Sequence, residues 1–357
     1  MKSYLRSCKL RIRSSAAALA LALALVSGGS AQAASYFQHF ETWQQGGFHG
    51  LGASSMNEEG WAAFEATGAN LARVFVSMFL NKATSTYAIE PSVYPMIDSI
   101  IAQAKRRNFK IAITFHTAGK APLMQFWVNK QMQDSIVSEI GKFAAHYAGN
   151  DALAGYDIIN EPGPMIIEPR SARDPAWQAL ATRIINAIRS KDPTRVIIFE
   201  WARWDADYKN LPTIPFEGIV YSSHWYMPNN LTHQGVKATF PDIIPYPTPA
   251  GNRFGPYNRA IMKQYLQPIR DFQVRHNVPI YFGEFSCVRW APGKSSYNFN
   301  TDAISIFNEF KWNWTFFSYR GYRGWDAELA RGSTTDIRTT NTDMMRYLKN
   351  QMLTLNR

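Results

Sequence analysis

Residues 110–160 decide the fold: Lys110–His116 (KIAITFH) and Ala154–Asn160 (AGYDIIN) flank a polar, helix-patterned stretch at Asp134–Ala148. Each flanking run is short, rich in Ile and aromatic residues, and lacks strict apolar/polar alternation. That pattern predicts strands buried on both faces. A strand, a helix and a second strand in this order imply a parallel pair joined by a right-handed crossover.

Outward from that unit the theme repeats. Further strand-like runs are Phe48–Gly52, Asn70–Val76, Arg195–Glu200, Gly218–His224, Pro279–Glu284 and Trp314–Tyr319, which brings the number to eight. Helix-like segments lie between them at Asn57–Thr67, Pro91–Asn108, Asp174–Lys191, Tyr257–His276, Thr301–Lys311 and Asn341–Leu353. Asn57, Asp174-Pro175 and Thr301-Asp302 supply helix starts, and Gly68 and Gly149 supply left-handed stops. The connection after Glu200 is the least regular, with a short or missing helix. Eight such units predict a single-domain (β/α)8 TIM barrel of the α/β class. An open doubly wound sheet is the alternative, but no Gly-rich phosphate loop follows the first strand. The Pro- and Gly-rich stretch from Met227 to Pro256 is expected to wall a binding site.

Ahead of the barrel, Lys2, Arg6, Lys9, Arg11 and Arg13 precede an Ala/Leu run at Ala16–Val26, and small residues follow at Ala31-Gln32-Ala33. This order predicts a signal peptide at residues 1–33, with the barrel domain at 34–357. The apolar run is shorter than the ~20 residues that span a bilayer. An exported, secreted or periplasmic protein without stable membrane insertion is therefore expected. Processing would lower the formal charge from +11 to +6. The remaining basic residues are scattered, and Lys105-Arg106-Arg107 suits a helix C-terminus, so no nucleic-acid partner is predicted. Cys287 would stand alone, which leaves stability to the core; a monomer is favoured.

In such a barrel, chemistry sits at the C-terminal ends of the strands. Those ends carry Arg73, His116, Asn160-Glu161, Glu200, His224 with Tyr226, and Glu284. Ile158-Ile159-Asn160-Glu161-Pro162 and Tyr281-Phe282-Gly283-Glu284-Phe285-Ser286 resemble the acid/base and nucleophile motifs of glycoside hydrolase family 5. Gly68-Ala69-Asn70-Leu71-Ala72-Arg73, Phe115-His116 and His224-Trp225-Tyr226 resemble three further motifs of that family, in the family's order.

The resemblance implies a retaining β-glycoside hydrolase acting on a polysaccharide, with Glu161 as acid/base and Glu284 as nucleophile, the two carboxyls ~5–5.5 Å apart. It further implies Arg73 as the cation beside Glu284 and Tyr226 as its hydrogen-bond donor. Asn160 would contact the sugar 2-hydroxyl, with His116 and His224 lining the adjoining subsite. Glu161 should be held protonated near neutral pH. The tryptophan usual on the eighth strand is not obvious, so Tyr319 or Trp325 is expected as the sugar platform, with Trp290 a further wall. Glu200 is open between a supporting or substrate contact and a solvated strand end, and Asp157 reads as structural.

The other histidines lack metal-ligand spacing, and no HExxH or Gly-x-Ser-x-Gly motif occurs, so neither a metal, a cofactor nor a serine nucleophile is expected. An endo-β-1,4-glucanase is the first reading of the substrate. Mannan, xyloglucan, β-1,3-glucan, exopolysaccharide and transglycosylation stay open. A carbohydrate-binding protein on a hydrolase barrel is the non-enzymatic alternative; it would not require both glutamates.

Overall fold

The computed structural model describes residues 36–118, 125–202, 208–236, 239–331 and 336–356. The signal-peptide reading at 1–33 lies outside them. Among the described residues, no helix is long and apolar enough to cross a membrane.

Eight parallel strands close into a barrel. In chain order they are β1 (His49–Ala53), β2 (Leu71–Asn81), β4 (Lys110–Ala118), β5 (Leu153–Asp157), β6 (Ile197–Glu200), β7 (Ile219–Trp225), β8 (Ile280–Phe285) and β9 (Asn313–Phe316). Each pairs with the next, and β9–β1 and β1–β2 contacts complete the circle. The short strand β3 (Thr86–Ile89) is the unforeseen element. It folds back antiparallel on the distal part of β2, pairing Met78 with Ile89 and Asn81 with Thr86. β2 therefore runs past the barrel rim, five residues beyond the stretch expected from its apolar pattern.

Helices cover the outside: α2 (Glu58–Glu65), α3 (Val93–Arg107), α4 (Lys130–His146), α5 (Arg173–Arg189), α7 (Arg259–His276), α8 (Ser295–Glu309) and α9 (Asp343–Leu355). Asn57 caps α2 as expected, its side chain accepting from Gly60 N at 2.9 Å. Gly68 and Gly149 both take the left-handed stop, at φ 77° and 71°. The basic end of α3 does more than face the helix dipole, since Arg106 and Arg107 pair with Glu58 on α2. α8 begins at Ser295 rather than Thr301. Its first turn is anchored by tertiary contact, Ser296 Oγ donating to the Cys287 carbonyl at 2.7 Å, so a later cap signal is overridden. Between β6 and β7 no helix occurs among the described residues, and after β7 only the short α6 (Asn229–Thr232) precedes the long wall loop.

Alternation along the strands splits the core in two. Ala72, Val74 and Val76 face the helices, whereas Leu71, Ala112, Ala154, Val196, Ile198, Val220 and Tyr281 fill the barrel interior. The lower end is plugged by the short α1 (Phe40–Gln44). Its Trp43 is fully buried and donates to the Ala154 carbonyl at 3.0 Å. Polar side chains fill the interior above that plug, towards the C-terminal ends.

Candidate active site

Arg73 is the first polar layer above the plug. It is fully buried, as is Asp157, with which it pairs at 3.0 Å. Burial opposes its charge, but Glu284 and Asp157 outweigh that cost and hold the guanidinium above its ordinary range. Its Nη1 donates to Glu284 Oε1 at 2.5 Å, and its Nη2 donates to Asn160 Oδ1 at 2.8 Å. Glu284 Oε2 accepts from the Tyr226 hydroxyl at 2.9 Å. Both carboxylate oxygens of Glu284 are thus held, and burial together with the Glu284 charge keeps the Tyr226 phenol protonated.

Two local backbone features set this geometry. The register between β7 and β8 shifts at Ser223/His224, so His224 stands opposite Glu284 and skips Gly283. A β-carbon on Gly283 would lie 3.2 Å from both Arg73 Nε and His224 Nε2, so a larger residue would crowd the two cations. At the end of β5 the chain turns sharply, and Glu161 takes a left-handed φ of 47°. Its peptide N–H donates to Glu200 Oε2 at 3.0 Å.

Glu161 lies on the open side of the pair, with its side chain 38% exposed against 8% for Glu284. Its Oε1 is 2.8 Å from His224 Nδ1. One oxygen of Glu161, one of Glu284 and a ring nitrogen of His224 all lie within 4.8 Å of one another. Burial works against charge on His224, but Glu200 and Glu284 lift it to about 9. The carboxylates around it thus favour the protonated ring at neutral pH.

The expectation for Glu161 itself is reversed. Burial would raise its carboxyl, but the hydrogen bond and charge of His224 bring it below the ordinary value. The site's proton rests on the imidazole, one hydrogen bond from the carboxylate. Glu200 behaves in the opposite way: burial, with Asp157 and Glu161 close by, pushes it up to about 8.

His116 stands on β4 close enough to feel Glu161 and Glu284, and burial holds its imidazole below the ordinary value. Trp325, expected as a sugar platform, packs against Tyr226 (ring centroids 5.2 Å apart) and against Phe317 (6.1 Å) and so stands at the cleft. Tyr319 does not. It is fully buried beneath β1 and packs on Phe64 of α2, its hydroxyl directed at the Gly60 carbonyl. The residue missed at this position is Phe317, part-exposed and edge-on to Phe75 at 6.1 Å. Trp290 braces the wall from behind, donating to the Gln234 carbonyl at 2.6 Å.

Known proteins resemble this chain in sequence and fold. A family model for cellulases, glycosyl hydrolase family 5, matches residues 32–350. The chain belongs to glycosyl hydrolase family 5. It is similar to endoglucanase C of Acetivibrio thermocellus, 23% identical over 246 residues, covering 60% of this chain and 69% of that one. In fold it is similar to endoglucanase Cel5A of Thermotoga maritima, solved in complex with cellobiose. There the TM-score is 0.69 at 17% identity, covering 87% of this chain and 99% of the other. A mannotriose complex of the same Thermotoga enzyme matches with the same TM-score and identity, and with the same coverage of both chains. The family 5 chain is a glycoside hydrolase, and its barrel mouth presents two carboxyls of unequal exposure.

Proposed function

We propose that this protein is an exported, retaining endo-β-glycanase that cuts a β-1,4-linked glucan, with Glu161 as acid/base and Glu284 as nucleophile. The spacing of their oxygens carries the reading. Within 4.8 Å, it suits the ~5–5.5 Å carboxyl separation of retaining enzymes better than the ~6.5–9.5 Å of inverting ones.

In the first step Glu284 attacks the anomeric carbon while Glu161 donates a proton to the departing glycosidic oxygen. The carbon–oxygen bond breaks, and a glycosyl ester forms on Glu284. Its charge is spent in that bond, which frees Arg73 and Tyr226 from a full anion. In the second step Glu161, now a carboxylate, takes a proton from water as that water attacks the same carbon and expels Glu284. The proton Glu161 needs for the first step stands beside it, on His224 Nδ1 at 2.8 Å, and the one taken from water in the second step restores it. Arg73 fixes Asn160 through its side-chain oxygen, leaving the Asn160 amide N–H groups to the sugar 2-hydroxyl. Phe317 and Trp325 offer apolar ring faces to a pyranose.

The glucan assignment draws on the similarity to endoglucanase C. The mannotriose complex of the Thermotoga enzyme supports mannan as the second substrate to assay. Export rests on the basic, apolar and small-residue order of residues 1–33. Following the anomeric configuration of the first product by proton NMR tests the mechanism. Initial release of the β-anomer is expected, and initial release of the α-anomer would overturn it.

A further inference from the structure

We propose that Glu200, at the end of β6, is the positioning residue of the acid/base, holding Glu161 both by its peptide N–H and through the ring of His224. The inference rests on Glu161 having the acid/base role argued above. Glu200 Oε2 accepts the Glu161 N–H at 3.0 Å, and the same oxygen stands 3.5 Å from His224 Nε2. The opposite ring nitrogen, Nδ1, meets Glu161 Oε1 at 2.8 Å. One carboxyl therefore bonds the backbone of the catalytic residue and stands within ion-pair range of the ring that meets its functional end, a ring whose Nε2 also lies 3.3 Å from Arg73 Nη2.

Each contact answers a need. The left-handed φ of 47° at Glu161 is unfavourable for a side chain bearing a β-carbon, and it persists only where surrounding contacts fix it. The Glu200 hydrogen bond is such a contact. At the other end, an imidazole between two carboxyls is oriented by whichever bond its far nitrogen makes. Glu200 itself is only 3% exposed, beneath the surface a substrate would meet. Its backbone carbonyl accepts from Trp177 Nε1 at 2.9 Å, and the Trp177 ring stacks on Phe199 with centroids 5.4 Å apart.

A purely structural carboxyl would not be chosen for this place. The groups that face it are His224 from β7, Asp157 from β5, Glu161 and, further off, Arg73 from β2. Two of these are acids, and a neutral amide would satisfy the Glu161 N–H without adding to their repulsion. What an amide lacks is the charge that Glu200 gains above about pH 8, the range in which His224 would otherwise give up its proton. Glu200 heads the charges that lift His224 to about 9, so it governs whether the ring next to Glu161 holds its proton.

The test compares the full-length wild type with Glu200→Ala and Glu200→Gln. The measurements are kinetics on a nitrophenyl β-cellobioside, the pH profile of kcat/KM, and the imidazole nitrogen titration of His224 by NMR. In Glu200→Ala, kcat should fall roughly 10- to 100-fold, as for other supporting contacts, with KM little changed. Glu200→Gln keeps an acceptor for the peptide N–H and should recover part of kcat. Its His224 midpoint should fall by roughly one pH unit or more, because an opposite charge nearby is lost. The alkaline limb of kcat/KM should move to lower pH with it. A His224 midpoint and alkaline limb unchanged in Glu200→Gln would overturn the proposal, whatever happens to kcat. Should Glu200→Ala fail to fold, the Gln variant decides alone. A fully active Glu161→Gln would instead overturn the acid/base reading, and the His224 midpoint would still report whether Glu200 controls the ring.

Discussion

Arg73 Nη1 lies 2.5 Å from Glu284 Oε1, inside a barrel layer that water does not reach from below. The other Glu284 oxygen is held by Tyr226 at 2.9 Å. The carboxylate is therefore fixed in plane and direction before any sugar arrives, which lowers the reorganisation needed for attack. Removing the Tyr226 hydroxyl should release one oxygen and leave the ring packed on Trp325. Tyr226→Phe is expected to lose roughly 10- to 100-fold in kcat. Its melting temperature should stay near that of the wild type.

The Glu161–His224 pair sets the alkaline limit. Charge from Glu200 and Glu284 lifts His224 to about 9 against the pull of burial, so the pair keeps a transferable proton through neutral pH and loses it on further rise. Activity should accordingly persist at pH 8 and decline towards pH 9 and above. In Glu161→Ala, turnover of a substrate with a poor leaving group should drop by roughly 10²–10⁴-fold, and added azide should restore turnover of an activated aryl glycoside. A wild-type profile that falls away well below pH 8 would contradict this arrangement.

Phe317 and Tyr319 separate binding from folding. Phe317 faces the cleft beside Trp325 and Phe75, whereas Tyr319 is sealed against Phe64. Phe317→Ala should raise KM for oligosaccharides with a small change in melting temperature. Tyr319→Ala, by opening a cavity in the core, is expected to cost about 3–5 kcal/mol of stability, as large aromatic truncations do. Unfolding curves and saturation kinetics on both variants check the assignment.

A stability limit lies at the opposite end of the barrel. His49 is buried, and burial lowers it to about 4 although Asn356 bonds its Nδ1 at 2.8 Å. The unfolded chain takes up a proton near pH 6.5 that the folded His49 refuses until about pH 4. Stability should therefore fall as pH drops through that window and level off below it. His49→Gln should flatten the slope between pH 6.5 and 4, measured by denaturant unfolding at a series of pH values.

The barrel was legible because its strands are buried on both faces, so runs such as Lys110–His116 stand out against the helices around them. The strand ends were legible for the same reason: Arg73, Asn160-Glu161, His224 and Glu284 are polar residues where apolar runs stop. Phe317 was hidden by its neighbours, since Trp314, Phe316, Phe317 and Tyr319 form one aromatic stretch. Two-residue alternation from Thr315, which faces inward to bond Tyr281 at 2.6 Å, would have pointed Phe317 inward and left Phe316 among the helices. The β3 hairpin was masked because Leu80–Ile89 is polar, and its pairing depends on the tertiary course of β2. The charge state of Glu161 lay beyond the sequence altogether. It depends on a ring nitrogen 63 residues away in the chain.

Trapping with a 2-deoxy-2-fluoro-β-cellobioside bearing a good leaving group tests the central claim most directly, followed by mass spectrometry of the digested protein. The account predicts a stable fluorocellobiosyl ester on Glu284, one per chain, that forms in the wild type and is lost in Glu284→Gln. Turnover without any covalent adduct, or an adduct on a different carboxyl, would contradict it.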